Sequence, residues 1–161
     1  MIKIIEYNGN KEVLVNLIEE LQDYLVQIDP LQRLRRLPEY GDIYINNTLK
    51  KIEQNHGIIY IAEFENIPVG IIAGIIEESS EEEKLECIPS KVGIILELIV
   101  SEKYRGKNIG SLLMKQMEEY FQIHKCNIIS VDIFEPNKKT HNFYQKLGYQ
   151  DRLITMIKKI L

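Results

Sequence analysis

From Val92 to Gly110 the chain reads Val-Gly-Ile-Ile-Leu-Glu-Leu-Ile-Val-Ser-Glu-Lys-Tyr-Arg-Gly-Lys-Asn-Ile-Gly, and a helical pattern begins as that run ends. Its Ile-, Leu- and Val-rich first half reads as a buried strand, and a glycine-bearing turn leading into a helix fixes the next two elements. At such a junction the first N–H groups of the helix have no partner and the positive end of its dipole faces outward. That suits an anion such as a phosphate. Arg105, Gly106, Lys107, Asn108, Ile109, Gly110 and Ser111 form the candidate cradle: the glycines let the backbone approach the anion, and Arg105 and Lys107 add charge. A strand-to-helix connection with two solvated bases is the alternative reading of the same spacing.

The rest of the chain supplies the elements around that unit. Ile2 to Tyr7 is a short β-rich segment. Between Lys11 and Ile28, Leu14, Leu17, Ile18, Leu21, Leu25 and Ile28 recur at helical spacing, and Asp29-Pro30 stops the run. A basic, irregular stretch from Leu31 to Pro38 precedes a second helical pattern from Ile43 to Gln54, which ends at His56-Gly57. Gly57 to Phe64 and Val69 to Ile76 read as an antiparallel hairpin around the turn-like Glu65-Asn66-Ile67-Pro68. The Glu- and Ser-rich stretch from Glu77 to Glu86 is an acidic loop, either solvated surface or an attractor for a cationic substrate. Beyond the candidate cradle, Ile109, Leu112, Leu113, Met117, Tyr120 and Phe121 make the apolar stripe of a third helix. A strand from Ile128 to Phe134, a short helix from Asn137 to Leu147 closed by Gly148, and an extended segment from Tyr149 to Ile160 complete the chain. Helices alternate with strands only in the second half, so the sheet is expected to be mixed.

The 161 residues are most simply one domain, able to bury a core without staples. With 20 basic and 24 acidic side chains the net charge is −4, which argues against nucleic-acid binding through bulk charge. The N-terminus lacks signal-peptide features and no apolar stretch reaches membrane-spanning length, so a cytoplasmic location and no membrane partner are expected. Cys87 and Cys126 stand far apart without a second ligand at metal spacing, and read as free buried thiols with no metal.

Two motifs lie in series: the Arg105 to Gly110 loop after one strand, and Glu135-Pro136-Asn137-Lys138-Lys139-Thr140-His141-Asn142-Phe143-Tyr144-Gln145-Lys146-Leu147-Gly148-Tyr149 after the next. The pair resembles the GCN5-related N-acetyltransferase (GNAT) superfamily. The acyl-CoA loop of that family reads Arg or Gln, any, any, Gly, any, Gly or Ala, and Arg105, Asn108 and Gly110 occupy its defined positions. Asn137, Phe143, Tyr144, Gly148 and Tyr149 fall in register with a second family stretch. Asn108 stands where the loop usually has glycine and Thr140 where the helix usually has alanine. Asn tolerates the left-handed backbone region best among non-glycine residues, so the loop should be strained only modestly.

The resemblance implies a single α/β domain over residues 1–161. Its α+β, mostly antiparallel twisted sheet would have about six to seven strands and roughly four flanking helices, splayed at the acyl-CoA site. It implies acetyl-CoA as co-substrate and acetyl transfer to a primary amine by direct attack in a ternary complex. Alkyl amines titrate near ~10.4 and thiols near ~8.5, so at neutral pH the amine must lose a proton and the departing thiolate must gain one. Glu97, the only carboxylate between Gly93 and Val100, could take the first, or could be a surface charge on an alternating strand. The resemblance gives Tyr144 the second role, protonation of the CoA sulfur. It gives the backbone of Leu98, Ile99 and Val100 the thioester oxygen, each such donor worth roughly 3 to 4 kcal/mol. Asn137 would bind the pantetheine arm or cap its own helix. His141 and His56 read as surface and helix end.

The acceptor is expected to be a small-molecule or peptide amine. The acidic loop would suit a polyamine-like or aminoglycoside-like substrate, while Arg33, Arg35 and Arg36 would suit one bearing a carboxylate or phosphate. A non-catalytic acyl-CoA sensor and a protein N-terminal or lysine acetyltransferase are the alternatives, and the resemblance makes a homodimer plausible.

Overall fold

The apolar runs assemble into one sheet whose strands are β1 (Ile2–Glu6), β2 (Ile58–Phe64), β3 (Ile67–Glu78), β4 (Lys91–Val100) and β5 (Ile128–Val131), side by side in that order. The computed structural model from which they are read describes all 161 residues. Three pairings are antiparallel and β4–β5 is parallel, so the sheet is mixed and mostly antiparallel, as expected.

Helices cover both faces. On one, α1 (Lys11–Ile28) and α2 (Tyr40–Gln54) bury Leu14, Leu17, Ile18 and Ile45 against Ile59, Ile61, Ile71, Ala73 and Ile99. On the other, α4 (Ile109–Ile123) buries Leu113, Met114, Met117 and Phe121 against Ala62, Val69, Ile72, Ile76 and Ile95, with Tyr144 of α5 (Lys138–Lys146) in the same cluster. The remaining helix, α3 (Glu83–Glu86), is a single turn within the acidic loop.

Several boundaries differ from the sequence reading. The helix expected from Ile43 starts at Tyr40 and takes in Gly41, which packs closely on α1. A Cβ at Gly41 would lie 2.8 Å from Val15 Cγ1 of α1. The hairpin turn is tighter than expected, with Glu65 (φ 53°) and Asn66 (φ 65°) both left-handed, the backbone of a two-residue turn that matches strand twist. There are five strands rather than six or seven, and residues 150–161 pair with no strand. β5, at the open edge of the sheet, offers only four residues to pair with, and Lys158-Lys159 break the two-residue period that a half-buried strand needs. Cys87 is exposed and Cys126 half-buried, so only the free state of the two thiols agrees with the expectation of buried cysteines. No helix is long and apolar enough to cross a membrane.

Two features of β4 position the site. Its pairing with β5 runs only from Val92↔Ile128 to Ile95↔Val131, after which the strands part and Leu96 to Val100 have no neighbour on that side. Its register with β3 passes from Gly74↔Ile95 to Ala73↔Glu97, leaving Leu96 as a bulge. The bulge shifts the alternation of side chains. Ile95 packs with the α4 core, whereas Leu96 packs with the α1–α2 core and Glu97 meets a side chain of α2.

Gly93 lies where α4 crosses β4, and a Cβ there would sit 2.5 Å from the Phe121 ring. Gly93→Ala is therefore expected to destabilise the fold by about 1–3 kcal/mol through overpacking. Urea unfolding of the variant and parent measures this, and equal midpoints would contradict it.

Candidate active site

A cavity of about 640 Å³ opens where β4 and β5 part, within the usual size range of a small-molecule site. Because the parting opens the sheet, both faces contribute. Tyr44 and Lys51 reach it from α2, Glu97 and Leu98 from β4, and Asn137 and Tyr144 from the start and body of α5.

Glu97 is only 9% exposed, and the Tyr44 hydroxyl donates to its Oε1. Burial pushes the carboxyl up to about 7, against the opposing pull of the Tyr44 hydrogen bond and the Lys51 cation. Tyr144 is 3% exposed. Burial, reinforced by the nearby Glu97 charge, raises its phenol, so it keeps its proton at neutral pH. Tyr40 is pushed to about 12 by the same two causes, and its ring centroid lies 5.5 Å from that of Tyr44. No buried side-chain N or O lacks a partner, and the Tyr144 hydroxyl, which bonds to no protein group, therefore reaches the cavity. A carboxyl poised near neutrality and a phenol held protonated can between them accept one proton and donate another.

The candidate anion loop lies outside the lining of this cavity, as do Ile99 and Val100. Gly106 (φ +76°) and Asn108 (φ 63°, ψ 12°) are both left-handed, so Asn108 adopts the backbone expected of it. The first helical bond of α4 runs from the Leu112 N–H to the Asn108 carbonyl at 3.1 Å, and the amides of Gly106 to Ser111 donate to no protein acceptor. The side-chain charges behave differently from expectation. Arg105 Nε donates to the Val100 carbonyl at 2.9 Å and its guanidinium lies 5.4 Å from the Tyr24 ring, while Lys107 Nζ sits 4.8 Å from the Phe64 ring. Both bases, though exposed, lie against the protein, within reach of a carbonyl and of aromatic faces. The loop approaches α5 at Gly110, where a Cβ would lie 3.4 Å from Phe143, the chain neighbour of the cavity residue Tyr144. An extended molecule with a phosphate at one end and a reactive group at the other fits that arrangement.

Asn137 caps α5: its Oδ1 accepts from the Thr140 N–H at 3.4 Å, and the residue also lines the cavity. His141 is paired with Asp151 at 2.5 Å, and the His56 carbonyl accepts from the Tyr120 hydroxyl at 2.8 Å. No group of three or more His, Cys, Asp or Glu is arranged to hold a metal ion.

A second cavity of about 550 Å³ adjoins the first, sharing Tyr44 and Asn47 with it and walled by Leu37, Pro38, Tyr40 and Ile43. Asp29 organises the segment that leads into this wall. Its carboxylate accepts from the N–H groups of Leu31, Arg33 and Leu34, bonds that hold it below the usual carboxylate range. Of the basic cluster, Arg35 lines the second cavity, whereas Arg36 is engaged by Asp23. No residue of the acidic loop lines either cavity.

Tyr44, Tyr40, Asn47 and Lys51 went unnoticed in the sequence reading. The signal was present: positions 40, 44, 47 and 51 recur at helical spacing as a polar and aromatic stripe beside the apolar one.

The family model described as "Acetyltransferase (GNAT) family" matches residues 16–149. The chain belongs to the GNAT acetyltransferase family. Acetyl-CoA is the co-substrate of GNAT enzymes generally, and the chain shares 33% identity over 94 residues with an uncharacterized N-acetyltransferase of Methanocaldococcus jannaschii. That match covers 58% of this chain and 53% of the relative, so the chain spans about half the relative's length. The GNAT fold recurs in a crystal structure of a Bacillus halodurans protein, with a TM-score of 0.84 at 17% identity and 99% of both chains covered. It recurs in AAC(6')-Iy bound to the bisubstrate analog CoA-S-monomethyl-acetylneamine, with a TM-score of 0.66 at 16% identity over 99% of both chains.

The buried Glu97 ties stability to pH. Its carboxyl titrates near 4.5 when unperturbed and near 7 in the fold, so between these values the folded chain holds a proton that the unfolded chain has released. Its contribution therefore falls as pH rises from 4.5 to 7, by on the order of 3 kcal/mol. Glu97→Gln removes that loss, and denaturant titrations across this range should show the variant gaining on the parent. A constant gap would contradict the shift.

Proposed function

We propose that the protein is an acetyl-CoA-dependent N-acetyltransferase acting on a primary amine by direct attack in a ternary complex. The observation that carries this reading is the placement on one cavity of Glu97, a carboxyl raised to about 7, and Tyr144, a phenol held protonated.

Acetyl-CoA, when bound, supplies the thioester whose carbonyl carbon is attacked. Glu97 takes the proton from the amine, a task suited to a carboxyl that is half ionised near pH 7. Tyr144 gives its proton to sulfur as the C–S bond breaks, and the resulting phenolate takes a proton back from solvent as Glu97 releases the one it accepted. The edge of β4 from Leu98 to Val100, which has no strand beside it, offers backbone N–H groups to the carbonyl oxygen and an edge along which pantetheine can lie. The amides from Gly106 to Ser111 suit the pyrophosphate.

The acceptor is a small-molecule or peptide amine in this reading. The position of the acidic loop, outside both cavities, weakens the argument for a polyamine based on its charge. We also propose a homodimer, supported by Leu153, Ile154, Met156 and Ile160, each more than three-quarters exposed on residues without a strand partner. A cytoplasmic location accompanies it, supported by two free thiols.

Release of free thiol from acetyl-CoA across polyamines, aminoglycosides and peptide N-termini tests the activity. Binding without thiol release on every amine would replace it with a sensor. Tyr144→Phe is expected to lower kcat by ~10² to 10⁴-fold with acetyl-CoA affinity nearly unchanged, and unaltered turnover would remove Tyr144 from the mechanism. Asn108→Gly should preserve acetyl-CoA binding, whereas Asn108→Val, a β-branched residue at positive φ, should weaken it. Calorimetry on both variants measures the contrast, and equal affinities would mean that this backbone shape is immaterial.

A further inference from the structure

Glu97 faces charged or titratable groups from three elements. Tyr40, Tyr44 and Lys51 belong to α2, Asp132 follows β5, and Tyr144 belongs to α5. Only Tyr44 hydrogen-bonds to the carboxylate. The same residue lines both cavities, so its ring stands in the wall between them while its hydroxyl reaches Oε1. The backbone bulge at Leu96 is what turns Glu97 toward α2 and makes this contact available.

We propose that Tyr44 is a positioning residue, whose hydroxyl holds the Glu97 carboxylate at the boundary between the two cavities so that an amine arriving from the Leu37 to Ile43 side meets it there. This rests on Glu97 being the base. A phenol that donates to a carboxylate favours the ionised form, which burial opposes. With the donor removed, Lys51 alone opposes burial and Glu97 keeps its proton to higher pH.

The acidic limb of kcat/KM for the parent protein should therefore have its midpoint near 7, and Glu97→Gln should abolish it. Tyr44→Phe should move the limb upward by about one to two pH units, with activity lost at pH 7 and regained as pH rises. Tyr40→Phe, which removes a hydroxyl that does not touch the carboxylate, should leave the midpoint in place. Replacing Tyr44 by 3-fluorotyrosine keeps the ring and strengthens the donor, so it should move the limb downward even if the Phe variant folds poorly. A ¹³C NMR titration of the Glu97 carboxyl in the parent and in the Tyr40 and Tyr44 variants reads the same shift without turnover.

A limb that Glu97→Gln abolishes but neither Tyr44 replacement moves would overturn the role of Tyr44 and leave Glu97 as the base. A limb that survives Glu97→Gln would overturn the base reading and this proposal together, whatever the NMR titration shows. Parallel movement of limb and NMR midpoint in opposite directions for the two Tyr44 replacements is the supporting result.

Discussion

The parting of β4 from β5 after Ile95 is the constraint from which the rest of the site follows. A closed sheet would separate the α1–α2 face from the α4–α5 face with a continuous wall of backbone. Here only four residues of each strand pair, and the next stretch of β4 keeps an open edge. The cavity in that opening receives Tyr44 from one face and Tyr144 from the other. The bulge at Leu96 complements the parting. Strict alternation would put Glu97 on the side of Ile95, in the core against α4, and one inserted residue instead turns it toward α2.

Burial then sets the chemistry of the groups so assembled. Removing Glu97 from water raises its proton affinity toward neutrality, while the same loss of water keeps the Tyr144 phenol protonated. One physical cause thus drives a carboxyl and a phenol in the same direction. The results differ because their unperturbed values lie on opposite sides of pH 7. The carboxyl arrives where it can cycle, and the phenol moves further from ionisation. Tyr44 and Lys51 temper the first effect by favouring the ionised carboxylate.

Much of this was legible in the sequence where a strong local pattern acts alone. The period of Leu14, Leu17 and Ile18 gave α1 its bounds, and Gly148 with the Asn137 cap framed α5 to within a residue. The junction from β4 into α4 was equally plain, because a β-rich run and a glycine turn leave little choice. The face of Glu97 was not legible, since every neighbour from Ile94 to Val100 except Glu97 is apolar and the deciding bulge depends on register with β3. Tyr44 was hidden for a related reason: an aromatic on an amphipathic helix reads as core until its tertiary partner is known. The contact of Gly41 with Val15 was equally hidden, because it joins two helices that are distant in sequence. The acidic loop suggested a substrate attractor by charge alone, and the β3–β4 turn carries it away from both cavities.

The candidate anion loop owes its suitability to its backbone more than to its charged side chains. Arg105 and Lys107 pointed to a phosphate by their charge, yet their side chains engage Val100, Tyr24, Phe64 and Tyr104. What remains at the loop is backbone: six consecutive amides without acceptors, two of them on left-handed residues that turn neighbouring N–H groups into a concavity. The bases act from behind. Arg105 ties the loop back to β4, and Lys107 lies over Phe64 of β2 and Tyr104 of the turn after β4, contacts that favour one arrangement of the peptide planes that would face the anion. A preorganised set of dipoles needs less rearrangement on binding than two long, flexible cations would. That division of labour accounts for asparagine in a glycine position. The loop requires a backbone shape at residue 108, and asparagine can adopt it.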